Sequence, residues 1–328
     1  MKPVPPRVLS HLAKKCGLDT EQLRKIAGGH EYSDGVIFRA GDSPLLMKIM
    51  VMHYGDELAL AKLVERFKFA RLMGANGVNI VYPLAQDDGS LYRTFIDGTD
   101  LYLAYLMDYI PGATILQSNW RDRFFTEWGR LVGKMHAVTQ TYPIWQHAMV
   151  QTPHGKKKVF GWQEEWDFFY EWCRDEEVRN AWRRIKDRLL QLPIERSSYG
   201  FIHNDPHAEN LLYDGKHLVL LDFDVANCHW FVTDIAIAMQ MTLFQMGGME
   251  KPVQNQRAVQ SFLSAFRKGY EEENLLDEFW WQQLDLFIHY RRTLLFCVMQ
   301  EWMESNPTAR NSWKRMILNP PPVVNLPR

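Results

Sequence analysis

Four cysteines in 328 residues, Cys16, Cys173, Cys228 and Cys297, lie far apart, without the paired spacing of a zinc site. So few, so scattered, they also exclude a disulfide scaffold and point to reduced thiols in a cytoplasmic protein. No apolar run is long enough to cross a bilayer. Residues 235–244 contain Gln240, and residues 288–299 carry Arg291 and Arg292. The first residues hold no signal-peptide core, so a soluble chain with no membrane partner is expected. Basic residues number 38 against 39 acidic ones, for a net charge of -1, which argues against nucleic acid as a partner. No Gly-x-Gly-x-x-Gly and no Gly-x-x-x-x-Gly-Lys-Ser/Thr occurs, so a dinucleotide fold and a P-loop are both excluded. There is no internal repeat and no low-complexity tract.

What is present is concentrated in one stretch. His203-Asn204-Asp205-Pro206-His207-Ala208-Glu209-Asn210 follows an apolar strand over 199–202, and the strand-like 218–221 leads into Asp222-Phe223-Asp224. An Asp with an Asn five positions on, and another Asp at the end of a short strand, is a minimal kit for phosphoryl transfer from Mg-ATP. One carboxylate orients and deprotonates an acceptor hydroxyl, while the amide oxygen and the second carboxylate hold Mg²⁺ against the phosphates. A metal site built from His203 and His207 is the weaker alternative, because Pro206 breaks the single helix that a His-x-x-x-His pair needs.

On these residues the chain resembles the aminoglycoside phosphotransferase and choline kinase family, small-molecule kinases of the protein-kinase-like fold. The resemblance implies Asp205 as catalytic base, Asn210 and Asp222 as metal ligands, and His203 as a brace of the loop. Asn204 stands where the antibiotic kinases more commonly have Gly and protein kinases Arg. Asp222-Phe223-Asp224 replaces the Asp-Phe-Gly of protein kinases, adding the Asp224 carboxylate as a candidate further ligand, directly or through water. Asp234, in the run Trp230-Phe231-Val232-Thr233-Asp234, is implied to brace the catalytic loop. Helix capping by Thr233 or Asp234 is the plainer reading.

Upstream, alternation and turn residues predict five antiparallel strands, over 36–40, 45–52, 80–86, 91–96 and 101–109, with a single helix over 57–73. Lys48 shares a strand face with Leu46 and Met50, where an ammonium is stable only opposite an anion. The resemblance makes that anion the α/β-phosphates of ATP. It gives Lys48 a helical glutamate partner, Glu57 or, favoured by position, Glu65. Gly28 to Gly35 sits where a phosphate-covering loop belongs, with Tyr32 and Ser33 as contacts, although a plain turn would use the same glycines. The change to 3.6-residue periodicity after residue 110 marks a boundary. An α+β, two-lobed fold is expected: residues 1–106 form a small antiparallel-sheet lobe and residues 111–328 a larger, mainly helical one. Residues 107–110 form the hinge between them, with Met107 and Tyr109 at the adenine edge.

The acceptor is less legible. Over 161–177 the aromatics Trp162, Trp166, Phe169 and Tyr170 fall on one helical face, and Glu164, Asp167, Glu171 and Asp175 on the other. Any amphipathic helix shows such segregation; the sharper reading is an acidic border that attracts a cationic acceptor. Downstream, Trp280, Trp281, His289, Tyr290, Arg291, Glu301 and Trp302 are further candidates for closing that cleft. The expected function is ATP-dependent transfer of the γ-phosphate to a hydroxyl of a small molecule. A protein kinase is the first rival, against which stands the absence of an Ala-Pro-Glu segment after Asp222. A silent nucleotide-binding module and a metal-dependent hydrolase are the others.

Overall fold

A computed structural model describes residues 3–28, 35–115, 122–152, 154–245 and 256–324. The fold is α+β. It separates into one unit made of Met1–Ala113, Val150–Lys157 and Leu212–Asp224, and a second made of Thr114–Met149, Lys158–Leu211 and Val225–Arg328.

The first unit opens with helix α1 (Pro6–Lys15), which has a proline in its first turn, where the missing amide hydrogen is harmless. Strands β1 (Leu23–Gly28), β2 (Gly35–Ala40) and β3 (Leu45–His53) precede helix α2 (Glu57–Ala75), whose N-cap Asp56 accepts from the Ala59 amide. Strands β4 (Arg93–Asp97) and β5 (Asp100–Asp108) complete an antiparallel sheet of order β1-β2-β3-β5-β4. The number of strands is as expected, but their identity is corrected. Residues 80–86 form no strand: Ile80 makes one parallel bridge to Leu220, and Pro83 lacks the amide a ladder requires. The fifth strand is β1, which pairs with β2.

Strict alternation gives the sheet two faces. Met47, Ile49, Tyr102, Ala104 and Leu106 pack with Val8 and Leu12 of α1, whereas Leu103, Tyr105 and Met107 pack with Leu63 and Phe67 of α2. Lys48 therefore points to the α2 side. Later in the chain, β6 (Ala113–Thr114) is the outer strand of a small sheet described below.

Most of the remainder is helical. Helix α3 (Asp122–Thr139) is followed by the hairpin β7 (Ala148–Thr152) and β8 (Gly155–Val159), then by α4 (Trp162–Trp172) and α5 (Glu176–Leu189). Four short strands come next: β9 (Tyr199–Ile202), β10 (Leu211–Tyr213), β11 (Leu218–Leu220) and β12 (Asn227–Trp230). They pair as β12-β9 and as β11-β10-β6. Helices α6 (Phe231–Gln245), α7 (Gln256–Glu271), α8 (Glu278–Trp281), α9 (Leu284–Val298), α10 (Gln300–Glu304) and α11 (Pro307–Leu318) finish the chain.

The core of the second unit is aromatic, with Trp128, Trp162, Trp182, Trp230 and Trp281 all fully buried. Helices α3 and α7 cross at glycine contacts. A Cβ on Gly129 would meet the Phe266 carbonyl oxygen at 1.9 Å, and one on Gly269 the Thr126 carbonyl oxygen at 1.8 Å. That close approach seats His136 of α3 against Tyr270 of α7. No described helix is long and apolar enough to cross a membrane, and the four cysteines are buried free thiols. The tail is less free than its prolines suggest, since the Val323 and Val324 amides both donate to Asp285.

Candidate functional site

In the first unit the chemistry gathers around Lys48. Strand β3 presents its side chain, only 5% exposed, to two carboxylates: Nζ lies 2.5 Å from Asp224 Oδ2, and 3.2 and 3.1 Å from the two oxygens of Asp222. Burial works against the ammonium, but Asp224, aided by Asp222, outweighs it and holds the lysine pKa well above its usual value. Burial would likewise raise Asp222, and Lys48 overcomes it to keep that carboxyl below the ordinary range. Lys48 thus finds its anions in two residues that the sequence marks as metal ligands. Glu65 accepts from Lys68 on the surface of α2.

The segment that carries these acids is fastened locally. Asn79 donates to the Leu218 carbonyl at 2.8 Å, the Val81 amide donates to the Leu220 carbonyl, and Phe223 meets Phe69 of α2 edge to face. Asp222 has φ +62°, a left-handed conformation that short polar residues tolerate, and its own carboxylate accepts from the Asp224 amide. Gly35 leaves room for the lysine stem, because a Cβ there would lie 2.9 Å from the Ile49 carbonyl oxygen and 3.0 Å from Lys48 Cε.

In the second unit the centre is Asp205. Arg291 of α9 donates a short hydrogen bond to one of its oxygens, and His207 Nε2 lies 3.3 Å from the other. His207 Nδ1 accepts from the Glu209 amide, which leaves the proton on the nitrogen facing Asp205. Burial alone would raise the Asp205 pKa; Arg291, then His207, hold it down to about 2. Asn210 donates through Nδ2 to the Asp205 carbonyl at 2.9 Å, which commits its amide nitrogen to the loop, while its Oδ1 can only accept.

A hydrogen-bond chain fixes this loop. Asn274 donates to the Tyr270 hydroxyl, Tyr270 meets His136 Nδ1, and His136 Nε2 meets Asp234 at 3.1 Å. Asp234 in turn accepts the backbone amides of His203 and Asn204 at 3.2 and 2.8 Å. The bracing role implied for Asp234 is therefore built. The capping role is corrected, since β12 runs directly into α6 at Phe231, placing Thr233 and Asp234 inside the first turn, where Thr233 bonds His229.

Two side chains of this network were given no role by the sequence reading. Glu165 of α4 accepts from the Tyr290 hydroxyl at 2.7 Å and from Asn204 Nδ2 at 2.5 Å, and Asn227 adds a third neutral donor. Burial raises its pKa, against the pull of these bonds. Asn204, at φ +67°, supplies both the left-handed turn and the tie to Glu165, so the position before Asp205 is structural in a way its side chain alone did not reveal. The acids expected to border the acceptor are largely engaged elsewhere. Glu164 accepts the Phe160 amide, Asp167 pairs with Lys186, and Asp175 caps α5 and pairs with Arg310 and Lys314. Of the downstream candidates Tyr290 reaches Glu165 and Arg291 reaches Asp205, whereas Trp280 and Trp281 are buried in the core.

Met107 ends β5 opposite Leu46, and Tyr109 donates its amide to the Pro44 carbonyl at 2.7 Å beneath the Arg39 guanidinium. Tyr32 and Ser33 lie outside the described residues. Among the described residues no three His, Cys, Asp or Glu side chains form a metal cage. Two carboxylates around a buried cation are nonetheless a donor set of the kind that would hold a hard divalent ion.

The family model described as phosphotransferase enzyme family matches residues 23–280. Amicoumacin kinase of Bacillus subtilis (strain 168) is 25% identical over 305 residues, covering 92% of this chain and 86% of its own. Among solved structures, an amicoumacin kinase bound to AMP-PNP, Ca²⁺ and its ligand superposes with a TM-score of 0.78 at 21% identity, covering 94% of this chain and 93% of its own. A microcompartment-associated aminopropanol kinase superposes at 0.67 and 16% identity, covering 95% and 92%. The fold is thus the one that small-molecule kinases share, with the antiparallel sheet and helical part expected of it. The match over most of its length shows that the chain belongs to the phosphotransferase enzyme family and is a small-molecule kinase.

Proposed function

We propose that this enzyme transfers the γ-phosphate of ATP, with Mg²⁺, to a hydroxyl of a small amine-bearing molecule in the cytoplasm. The observation that carries the reading is Asp205, kept as a carboxylate by Arg291 and His207 on a loop that Asp234 immobilises. With a pKa of about 2 it is a weak base. It suits an acid that orients the hydroxyl and takes its proton late, as a loose phosphoryl transfer allows.

Lys48 grips the α/β-phosphates, with Asp224 holding its ammonium in place. Asn210 Oδ1 and the half-exposed Asp222 carboxylate are the metal ligands, and Asp224 contributes directly or through water. The metal, when bound, neutralises charge on the phosphates. Met107 and Tyr109 take the adenine edge, Tyr109 through groups other than its committed amide. Ser33 is assigned to the phosphate-covering loop, and Glu65 would be a further partner for Lys48 if Asp222 held a metal ion. Glu165, bonded by three neutral donors and by no cationic side chain among the described residues, is the seat for the acceptor's ammonium. The family match favours a small molecule over a protein acceptor, and the filled base and metal positions favour turnover over silent binding.

An ADP-release assay over hydroxylated amines, paired with the same alcohols lacking nitrogen, tests this. The amines turn over, and Asp205→Asn lowers kcat by about 10² to 10⁴ with the KM for ATP little changed. Wild-type rates from Asp205→Asn, or phosphate found only on protein, would refute the assignment.

A further inference from the structure

Helix α4 carries more than Glu165 on its flank. Phe168 and Trp172 follow at i+3 and i+7, on the same stripe, while Trp162 and Trp166 turn into the core. Phe168 is 60% exposed and Trp172 39%. Their rings pack together at 5.9 Å, and Phe168 also meets Phe169 at 5.1 Å. Single exposed apolar residues are ordinary, but a contiguous aromatic strip that begins at a carboxylate is not. From Glu165 to Trp172 the strip runs about 10 Å along the helix.

We propose that this strip is an acceptor subsite, and that the phosphorylated molecule is an amphipathic amine whose flat apolar body lies on Phe168 and Trp172 while its ammonium meets Glu165. The proposal rests on the amine-accepting reading of the site. Charge selects the occupant. Arg291 bonds Asp205 and also attracts Glu165 through space, so one guanidinium stands against two carboxylates, and because the groups that hydrogen-bond Glu165 are neutral the balance beside the strip is negative. A cation with an apolar arm satisfies both ends, and neither a carboxylate nor a small polar amino alcohol does. The covalent tie from Asn204 to Asp205 keeps the ammonium seat at a fixed place relative to the catalytic carboxylate.

Calorimetric titration of the full chain with 2-amino-1-phenylethanol and with ethanolamine tests the subsite without turnover. The aryl amine binds more tightly by about tenfold or more. Phe168→Ser combined with Trp172→Ser brings the two affinities to parity, and Phe168→Tyr with Trp172→Phe retains the preference. In ADP release the ratio of kcat/KM for aryl over alkyl amine collapses in the same way, through KM. Equal affinities in the wild type, or a preference that survives the serine pair, would overturn the proposal. So would a serine pair that changes only the sedimentation coefficient, which would make the strip an interface between copies. An aryl preference in binding with no ADP from any amine would support the subsite and refute the kinase-acceptor reading instead.

Discussion

The two units carry opposite versions of one device. Around Lys48 a single buried cation is held by two carboxylates, so the cluster is acidic on balance and suited to receive more positive charge. Around Asp205 a single carboxylate is held by a guanidinium and an imidazole. Its charge is already balanced, and the acidic surplus has moved to Glu165. Both halves include non-glycine residues in the left-handed region, Asp222 in the first and Asn204 with Phe160 in the second. Such conformations cost roughly 1 to 3 kcal/mol and persist only where surrounding bonds over-determine them. The comparison teaches that the first unit holds one buried cation between two acids, whereas the second fixes the orientation of one acid.

The largest break in this symmetry is expected from Lys48→Met. Losing the donor lowers kcat/KM for ATP by about 10² to 10³. It also leaves Asp222 and Asp224 facing each other, a broken buried pair worth roughly 3 to 5 kcal/mol. Magnesium chloride alone then raises the melting temperature of the variant more than that of the wild type. Equal shifts would show that the two carboxylates are no cation site. Next comes Gly35→Ala, whose Cβ pushes on the lysine stem and the Ile49 carbonyl. A drop in kcat/KM for ATP on the order of tenfold, without change in acceptor binding, is the expected kinetic result.

Smaller is the effect of Asn204→Gly, which keeps the left-handed turn and removes the tie to Glu165. Acceptor KM rises about threefold while the ATP side is untouched, and Asn204→Ala adds backbone strain of about 1 kcal/mol. If Asn204→Gly instead damages ATP use, the two halves are not separable as described. The finest test is pH. Asp205, near 2, keeps its charge through the acid range, whereas burial lifts Glu165 above the ordinary carboxylate value. As pH falls, Glu165 therefore protonates first and the ammonium seat is lost. The acid limb of kcat/KM for the amine follows Glu165, and Glu165→Gln flattens that limb while lowering the plateau. An unchanged limb in that variant would return it to another group.

Much of the catalytic loop was legible because its signal is local. Asp205 and Asn210 sit five apart on one loop, Asp222 ends a strand that announces itself by apolar residues, and Lys48 stands out in a strand that alternates around it. The strand over 80–86 misled because its alternation is real but its partners are elsewhere: Ile80 has a single bridge, and Pro83 stops the ladder. Arg291 was legible as a charge interrupting the apolar run over 288–299 and as one of several candidates for closing the cleft, a hint that it has an anion but not which one. It lies 86 residues from Asp205. Glu165 had a weaker signal still, at the edge between the apolar and acidic arcs of α4, while the more conspicuous acids beside it are engaged elsewhere.

By itself the sequence determined which reactive groups the protein has and the order in which they occur, since strand and helix periodicities and short spacings are properties of the local backbone. Only the tertiary structure decided which charge neutralises which: Asp224 with Lys48, Arg291 bonded to Asp205, and Glu165 bonded by three neutral donors with Arg291 acting on it only through space. Coulomb attraction and hydrogen bonding depend on distance through space, and residues 86 or 176 positions apart along the chain have no spacing rule to report it.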